Sequence, residues 1–315
     1  MNGRIDAAVF PGQGSQRPGM GKDFFEQVKE CRLAYEEASD ALGWDVASVC
    51  FADDERLHLT EYTQPCIVAT EIAMLRGLSA RYAFNPAFFG GHSLGEFTAL
   101  VAAGALPFGA ALHVVQERGR LMQEAVPVGA GAMTAVIAEG LCPEIVGRRI
   151  GGLTVDVANV NSDRQVVLSG EAGAIAEAES ILLASLSDLP SLRFVRLNVS
   201  APFHSRLMAP ILLPFARVLR GLGDRLDPAA AGRATSNYRG GFHSGTREEL
   251  IESLVLQLSH TVRWTQNMAC LSSRADAIWE IGPGRPLREF FRTIGVECTS
   301  VTTPSAAERA FASAA

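Results

Sequence analysis

The first apolar run of the chain, residues 5–10 in "RIDAAVFPGQGS", is too short for a helix and stops at proline and glycine. That is the pattern of a short buried strand feeding a loop. Polar and apolar residues at helical spacing follow from about 23 to 43. A second helix is expected from Pro65 onward in "PCIVATEIAMLRGLSARY", because proline suits a first helical turn. A short strand around 87–89 then leads into "GGHSLGEFTALVAAG", a turn followed by an apolar helix that Gly104 can cap. A further helix is expected over 109–126. Strands alternating with helices predict a parallel sheet covered on both faces, with any site at the carboxyl ends of its strands.

The middle of the chain has another rhythm. "GAMTAVIA" reads as a strand, "LCPEIVGRRI" as a helix, "TVDVANVN" and "QVVLSGE" as strands, "AGAIAEAESILLASL" as a helix and "RFVRLNVS" as a strand. The order β-α-β-β-α-β is ferredoxin-like. It predicts a small inserted subdomain over 131–199, flanked by a discontinuous larger domain, 1–130 and 200–315.

Composition narrows the class. Hydrophobic residues make up 48% and charged residues 20%, an ordinary globular balance with no apolar run long enough for a membrane helix. The net charge of −6 argues against nucleic acid as a partner. Six cysteines lie scattered without a C-x-x-C pair, so reduced thiols, a cytoplasmic location and no metal site are expected. The loop "PGQGSQRPGMG" fails as a phosphate loop. Arg17 stands where the dinucleotide pattern requires glycine, and Met20 where a P-loop requires lysine.

Residues 91–95, Gly-His-Ser-Leu-Gly, fit G-x-S-x-G, in which a strand turns sharply into a helix and presents a serine Oγ. Ser93 would need a positioned base. His92 adjoins it, but consecutive residues on such a turn point apart. His204, in "NVSAPFHSRLM", follows the last strand of the insert and is the candidate base. The aspartates between Ser93 and His204 (156, 163 and 188) all fall inside the insert, which makes room for a backbone carbonyl or an amide side chain to orient the imidazole instead, as a dyad rather than a triad. Arg118 lies on the same helical face as Ala111, Val114, Val115, Met122 and Ala125. An inward guanidinium needs either a structural acid or a substrate carboxylate.

The motifs "FPGQGSQRPGMG", "LTEYTQPCIVATE", "GHSLGE", "ERGRLMQEA", "GAMTAVIA", "VSAPFHSRLM", "LQLSHTVRW" and "EIGPGRPL", in this order, resemble those of malonyl-CoA:acyl-carrier-protein transacylases, including the discrete acyltransferases that serve polyketide synthases. The resemblance spans nearly the whole chain. It implies an α/β-hydrolase-like domain with a ferredoxin-like insert, an acyltransferase with Ser93 as nucleophile and His204 as general base and acid. It implies an oxyanion hole of the Gln13 and Leu94 backbone N–H groups, the Gln257 backbone carbonyl orienting His204, and Arg118 receiving the substrate carboxylate. Phe203, His92 and Asn161 would line the pocket. The implied reaction is ping-pong, with a coenzyme A thioester as substrate and no permanent cofactor. The malonyl group passes from malonyl-CoA to the phosphopantetheine thiol of an acyl carrier protein, for fatty acid or polyketide synthesis. Leu94 and Phe203 go with malonyl in that family. Alternatives are another extender unit such as methylmalonyl, an acyl hydrolase, and a non-catalytic docking protein. An acidic carrier would need a local basic patch, either Arg193, Arg196 and Arg206 or Arg285, Arg288 and Arg292.

Overall fold

The computed structural model describes residues 4–199 and 201–314. Strand β1 (Asp6–Phe10) is buried beyond its first residue, which explains an unbroken apolar run where a half-exposed strand would alternate. The single helix expected over 23–43 is two helices, α1 (Lys22–Gln27) and α2 (Lys29–Leu42), because Val28 between them is extended (φ −127°, ψ 117°). α3 (Val46–Phe51) leads to α4 (Thr60–Tyr82). The step at Val28 lets α2 close on Gly77 of α4, where a Cβ would lie 2.4 Å from Cys31 Sγ.

The start of α4 also departs from expectation: Thr60, not Pro65, opens it. The Thr63 hydroxyl donates to the Leu57 and Leu59 carbonyls (2.7 and 2.9 Å), which closes the first turn. Pro65 falls in the second turn, where its missing N–H forfeits one helical bond. Burial on nearly every side leaves α4 without the polar stripe that would have marked its beginning.

β2 (Phe88–Gly91) runs past the expected 87–89, because Gly90 and Gly91 pair with Val9 and Phe10 of β1. α5 (Gly95–Ala102) follows. Gly104 (φ 79°) does cap it: the Ala105 N–H reaches Leu100 O and the Gly104 N–H reaches Val101 O, both at 2.9 Å. Both glycines around Ser93 are required for space. A Cβ on Gly91 would sit 1.9 Å from the Gly95 carbonyl carbon, and one on Gly95 2.2 Å from Phe10 O. Gly91→Ala is therefore expected to destabilise the protein by more than ~4 kcal/mol or to prevent folding, as read by urea denaturation. A loss under ~1 kcal/mol would mean that the turn can open.

After α6 (Phe108–Glu124) the chain forms β3 (Gly131–Ile137), α7 (Pro143–Ile150), β4 (Val155–Ser162), β5 (Gln165–Glu171), α8 (Ala172–Ser185) and β6 (Arg193–Arg196). The types and order are those read from the sequence. β6 stops at Arg196, short of the expected 200, a residue that lies outside the described ones. This second sheet is antiparallel in the order β4-β5-β3-β6. Val136, Val166 and Leu168 face Val146, Ile150 and Leu182 of the helices, while Met133, Ala135 and Val167 face the main core, the period-two alternation of a strand.

The rest comprises α9 (Leu212–Arg220), α10 (Pro228–Ala231), β7 (Thr235–Ser236), β8 (Gly241–Phe242), α11 (Arg247–Leu256), α12 (Trp264–Ser272), β9 (Ala277–Ile281), α13 (Pro286–Thr293), β10 (Cys298–Val301) and α14 (Pro304–Ala314). The first sheet is parallel in the order β10-β9-β1-β2. Because β1 and β2 are neighbours, the loop after β1 and the turn after β2 share one rim. Their approach is tight: a Cβ on Gly12 would lie 2.5 Å from His92 O. No helix among the described residues is long and apolar enough to cross a membrane.

Candidate active site

Between β2 and α5, Ser93 takes φ 50°, a left-handed conformation unusual for a residue with a Cβ. Such strain persists where surrounding bonds over-determine it. Here the His92 N–H donates to Phe10 O (3.0 Å), the Gly95 N–H to His92 O (2.9 Å) and the Ser93 N–H to Asn237 Oδ1 (3.4 Å). The result places Ser93 Oγ 2.7 Å from His204 Nε2 and 3.3 Å from Arg118 Nη2.

His204 comes from the loop after the second sheet and is buried, with its Nδ1 2.7 Å from the Gln257 backbone oxygen at the end of α11. A carbonyl only accepts, so Nδ1 carries the hydrogen and Nε2 presents a lone pair to the Ser93 hydroxyl. Burial first, and then the Arg118 charge, press the imidazole pKa down to about 3, so the ring is neutral at neutral pH. The pair is built to take the proton from Ser93.

This depression has a consequence for stability. Between the ordinary 6.5 and about 3, the unfolded chain binds a proton at His204 that the folded protein refuses. Stability should thus fall as pH drops through that window, by up to ~1.4 kcal/mol per pH unit, and be unaffected by this group above it. Other buried acids titrate too, so the measure is the difference between wild type and His204→Gln in urea midpoints from pH 7 to 4.5. Parallel curves would refute it.

Arg118, on α6, is 1% exposed. Nη1 donates to Gln64 Oε1 (3.0 Å) and Nη2 to Gln257 Oε1 (2.9 Å), while Nε has no partner among the described residues. Burial lowers its pKa to about 10, with Glu96 opposing, so it remains a cation. No carboxylate lies within ion-pair distance of it among the described residues. Of the two partners the sequence left open, the structural acid is not there. Two amides hold the guanidinium without neutralising it.

Ser93, His204 and Arg118 open into a cavity of about 350 Å³ whose wall includes Gln13, His92, Asn161 and Phe203. Met133, Ala135 and Ile137 of β3 make its opposite side apolar. His92 Nε2 lies 2.8 Å from Asn161 Oδ1, Asn161 Nδ2 donates to Gln165 Oε1 (2.7 Å), and the His92 ring packs edge-on against Trp264. Burial lowers the His92 pKa, so this ring is a neutral wall element. The Gln13 and Leu94 backbone N–H groups, on the two loops that meet at the rim, donate no hydrogen bond within the protein among the described residues. They are available to an oxygen in the cavity. Glu280, at the end of β9, accepts from the Leu287 and Arg288 N–H groups (2.8 and 3.0 Å) and so seats α13, whose Leu287 and Phe290 complete the wall. Burial raises the Glu280 carboxyl to about 7.

The sequence reading had brought forward every residue in contact with Ser93 Oγ, but it missed Gln64, Glu96 and Asn237. Gln64 sits inside a motif already singled out, as a buried amide on an apolar helix. Glu96 follows the serine turn directly, a carboxylate opening an apolar helix, which is a usable signal. Asn237 has none. Of the two arginine clusters, Arg196 pairs with Glu179 (2.8 Å), Arg206 with Asp156 (2.6 Å) and Arg292 with Glu289 (3.4 Å). Arg193, with Arg164 and Arg292, lines a second pocket that shares Ile137, Gln165 and Phe290 with the cavity.

Comparison with known proteins bears on the family and the fold. The acyl transferase domain family matches residues 8–224. A malonyl CoA-acyl carrier protein transacylase of Bacillus subtilis is 35% identical over 311 residues, 96% of this chain and 95% of the relative. The crystal structure of the Clostridium perfringens malonyl CoA-acyl carrier protein transacylase superposes with a TM-score of 0.89 at 33% identity, over 98% of this chain and 97% of that one. A malonyl-transacylase solved in complex with a type II polyketide synthase acyl-carrier protein gives 0.88 at 34% identity, over 98% and 99%.

Proposed function

The chain belongs to the malonyl CoA-acyl carrier protein transacylases of the acyl transferase family, and from that premise we propose that it moves a malonyl group from coenzyme A to a carrier protein through Ser93. The observation that carries the substrate is Arg118: a buried cation 3.3 Å from the reacting hydroxyl, held by amides and facing a cavity. One methylene separates the two carboxyl groups of malonate. A thioester carbonyl placed at Ser93 Oγ therefore brings the free carboxylate to the guanidinium, whose fork suits it.

His204 Nε2 takes the Ser93 proton as Oγ attacks the thioester carbonyl. The Gln13 and Leu94 N–H groups receive the developing oxyanion, and each such donor is worth on the order of 10²–10³ in rate. Collapse expels coenzyme A as the thiol, reprotonated by the imidazolium, and leaves malonyl-serine. The carrier's phosphopantetheine thiol then attacks that ester, with His204 accepting its proton and returning it to Ser93. A bound carboxylate also cancels the Arg118 charge that weakens His204, so the base strengthens when the right substrate is in place. Phe203 beside His204 narrows the cavity in keeping with malonyl over methylmalonyl. No cofactor takes part in these steps, and six free thiols suit the cytoplasm.

We read the framework as an α/β-hydrolase-like domain (1–130 and 200–315) with a ferredoxin-like insert (131–199). The parallel sheet bearing the serine turn and the strand order β4-β5-β3-β6 support that division. The carrier, with product bound for fatty acid or polyketide synthesis, would approach along Arg164, Arg193 and Arg292, next to the cavity.

Intact-protein mass after brief mixing with malonyl-CoA, methylmalonyl-CoA or acetyl-CoA tests the proposal. A malonyl adduct is expected, absent in Ser93→Ala and discharged by phosphopantetheinylated carrier protein. Equal methylmalonyl labelling would overturn the substrate assignment. Free malonate released without an adduct would make the protein a hydrolase, and silence with every donor would make it a docking protein.

A further inference from the structure

Glu96, the second residue of α5, is fully buried beside the site, and the steps above give its carboxylate no task. Its Oε2 accepts from Gln257 Nε2 (2.5 Å), Asn237 Nδ2 (2.5 Å) and the Asn237 backbone N–H (3.0 Å). Each of these amides has its other end at the site. Gln257 Oε1 accepts from Arg118 Nη2 (2.9 Å), and Asn237 Oδ1 accepts from the Ser93 N–H (3.4 Å). His243 Nε2 lies 2.9 Å from Glu96 Oε1, at ion-pair distance but outside hydrogen-bonding geometry.

An amide side chain is nearly symmetric in shape, so its partners alone decide which end carries the oxygen. A carboxylate accepts and never donates. Glu96 therefore draws the NH₂ end of both amides, backed by the Ser93 carbonyl on Gln257 Nε2 (3.1 Å) and the Gly91 carbonyl on Asn237 Nδ2 (2.8 Å), so their oxygens turn toward Arg118 and the Ser93 N–H. With a donor at position 96, the Ser93 carbonyl alone would hold the Gln257 amide against an inversion that sets its NH₂ against the guanidinium, donor to donor. Among the described residues, Glu96 is also the charge that supports the Arg118 cation against burial.

We propose that Glu96 is a positioning residue that acts through the Gln257 amide, aiming Arg118 and holding it ready for the substrate carboxylate. The proposal rests on Arg118 being the carboxylate seat.

The test compares Ser93 acylation kinetics with malonyl-CoA and acetyl-CoA in wild type, Glu96→Gln, Glu96→Asp, Gln257→Ala, Arg118→Ala and the Glu96→Gln/Gln257→Ala double variant. Gln257→Ala keeps the backbone oxygen that His204 uses. Glu96→Gln should lower the malonyl-to-acetyl ratio of kcat/KM by about tenfold or more, chiefly through the malonyl KM, and Glu96→Asp should recover part of it. The double variant should lose no more than Gln257→Ala, because the transmitting amide is already gone. Equal losses with both donors would leave Glu96 a merely structural residue and overturn the proposal, as would additive losses in the double variant. Should Glu96→Gln not fold, Gln257→Ala decides: an unchanged ratio removes the relay. If Arg118→Ala keeps the malonyl preference, the seat itself is wrong and this proposal falls with it. If Arg118→Ala loses the preference and Glu96→Gln keeps it, Glu96 alone is refuted.

Discussion

Exchange of His204 for alanine is expected to leave a folded protein whose Ser93 acylation by malonyl-CoA is slower by on the order of 10³–10⁴. The hydroxyl has one base within reach, at 2.7 Å, and its other contact is a donor, Arg118 Nη2. Without the imidazole, the proton must leave to water or hydroxide. The residual rate should then climb with pH through the range where wild type is flat, because a base whose pKa sits near 3 is already fully neutral there. Rapid-quench mass spectrometry of the acyl-enzyme between pH 6 and 9 measures both features. A loss under tenfold, or a residual rate without that slope, would exclude His204 as the base.

The absence of an acid behind His204 was legible because every intervening aspartate fell within the insert. Asp156 is indeed spent on Arg206. What replaces the acid, a backbone carbonyl from Gln257, belongs to the end of a helix more than fifty residues away in sequence, and no periodicity points to it. The serine turn and the second sheet were legible for local reasons: glycines where a Cβ has no room, and apolar residues alternating with period two. The start of α4 was not, since a helix buried all round offers no stripe and its first turn is closed by the Thr63 hydroxyl. The seat of Arg118 was legible only in part. The sequence left a structural acid and a substrate carboxylate both open for a buried cation, and no pattern or spacing pointed to the two glutamines from separate helices that hold it, whose contact exists only once α4, α6 and α11 have packed.

That choice of amides over an acid is what Arg118→Ala should expose, and the expected result is a reversal of donor preference. An internal carboxylate would have neutralised the guanidinium and left it indifferent to the substrate. Glutamines accept from both Nη groups but leave the charge unneutralised. With malonyl-CoA, the variant forfeits a desolvated charge pair worth about 2–5 kcal/mol, or roughly 30-fold to several thousand-fold in kcat/KM. With acetyl-CoA there is no such pair to lose. Removing the cation also takes away the second cause of the depressed His204 pKa, so the imidazole becomes a stronger base and acetyl transfer should hold or rise. The sign of the pH effect follows: the acid limb of acylation, far below 6.5 in wild type, should move up toward 6.5 in the variant. Equimolar malonyl- and acetyl-CoA in competition, with the Ser93 adduct weighed from pH 5 to 8, reads preference and limb together. Arg118→Lys should fall between the two, since an ammonium restores the charge without the fork. A variant lacking Arg118 that still selects malonyl would put the carboxylate elsewhere in the cavity, and the free N–H groups of Gln13 and Leu94 would then be the donors to examine.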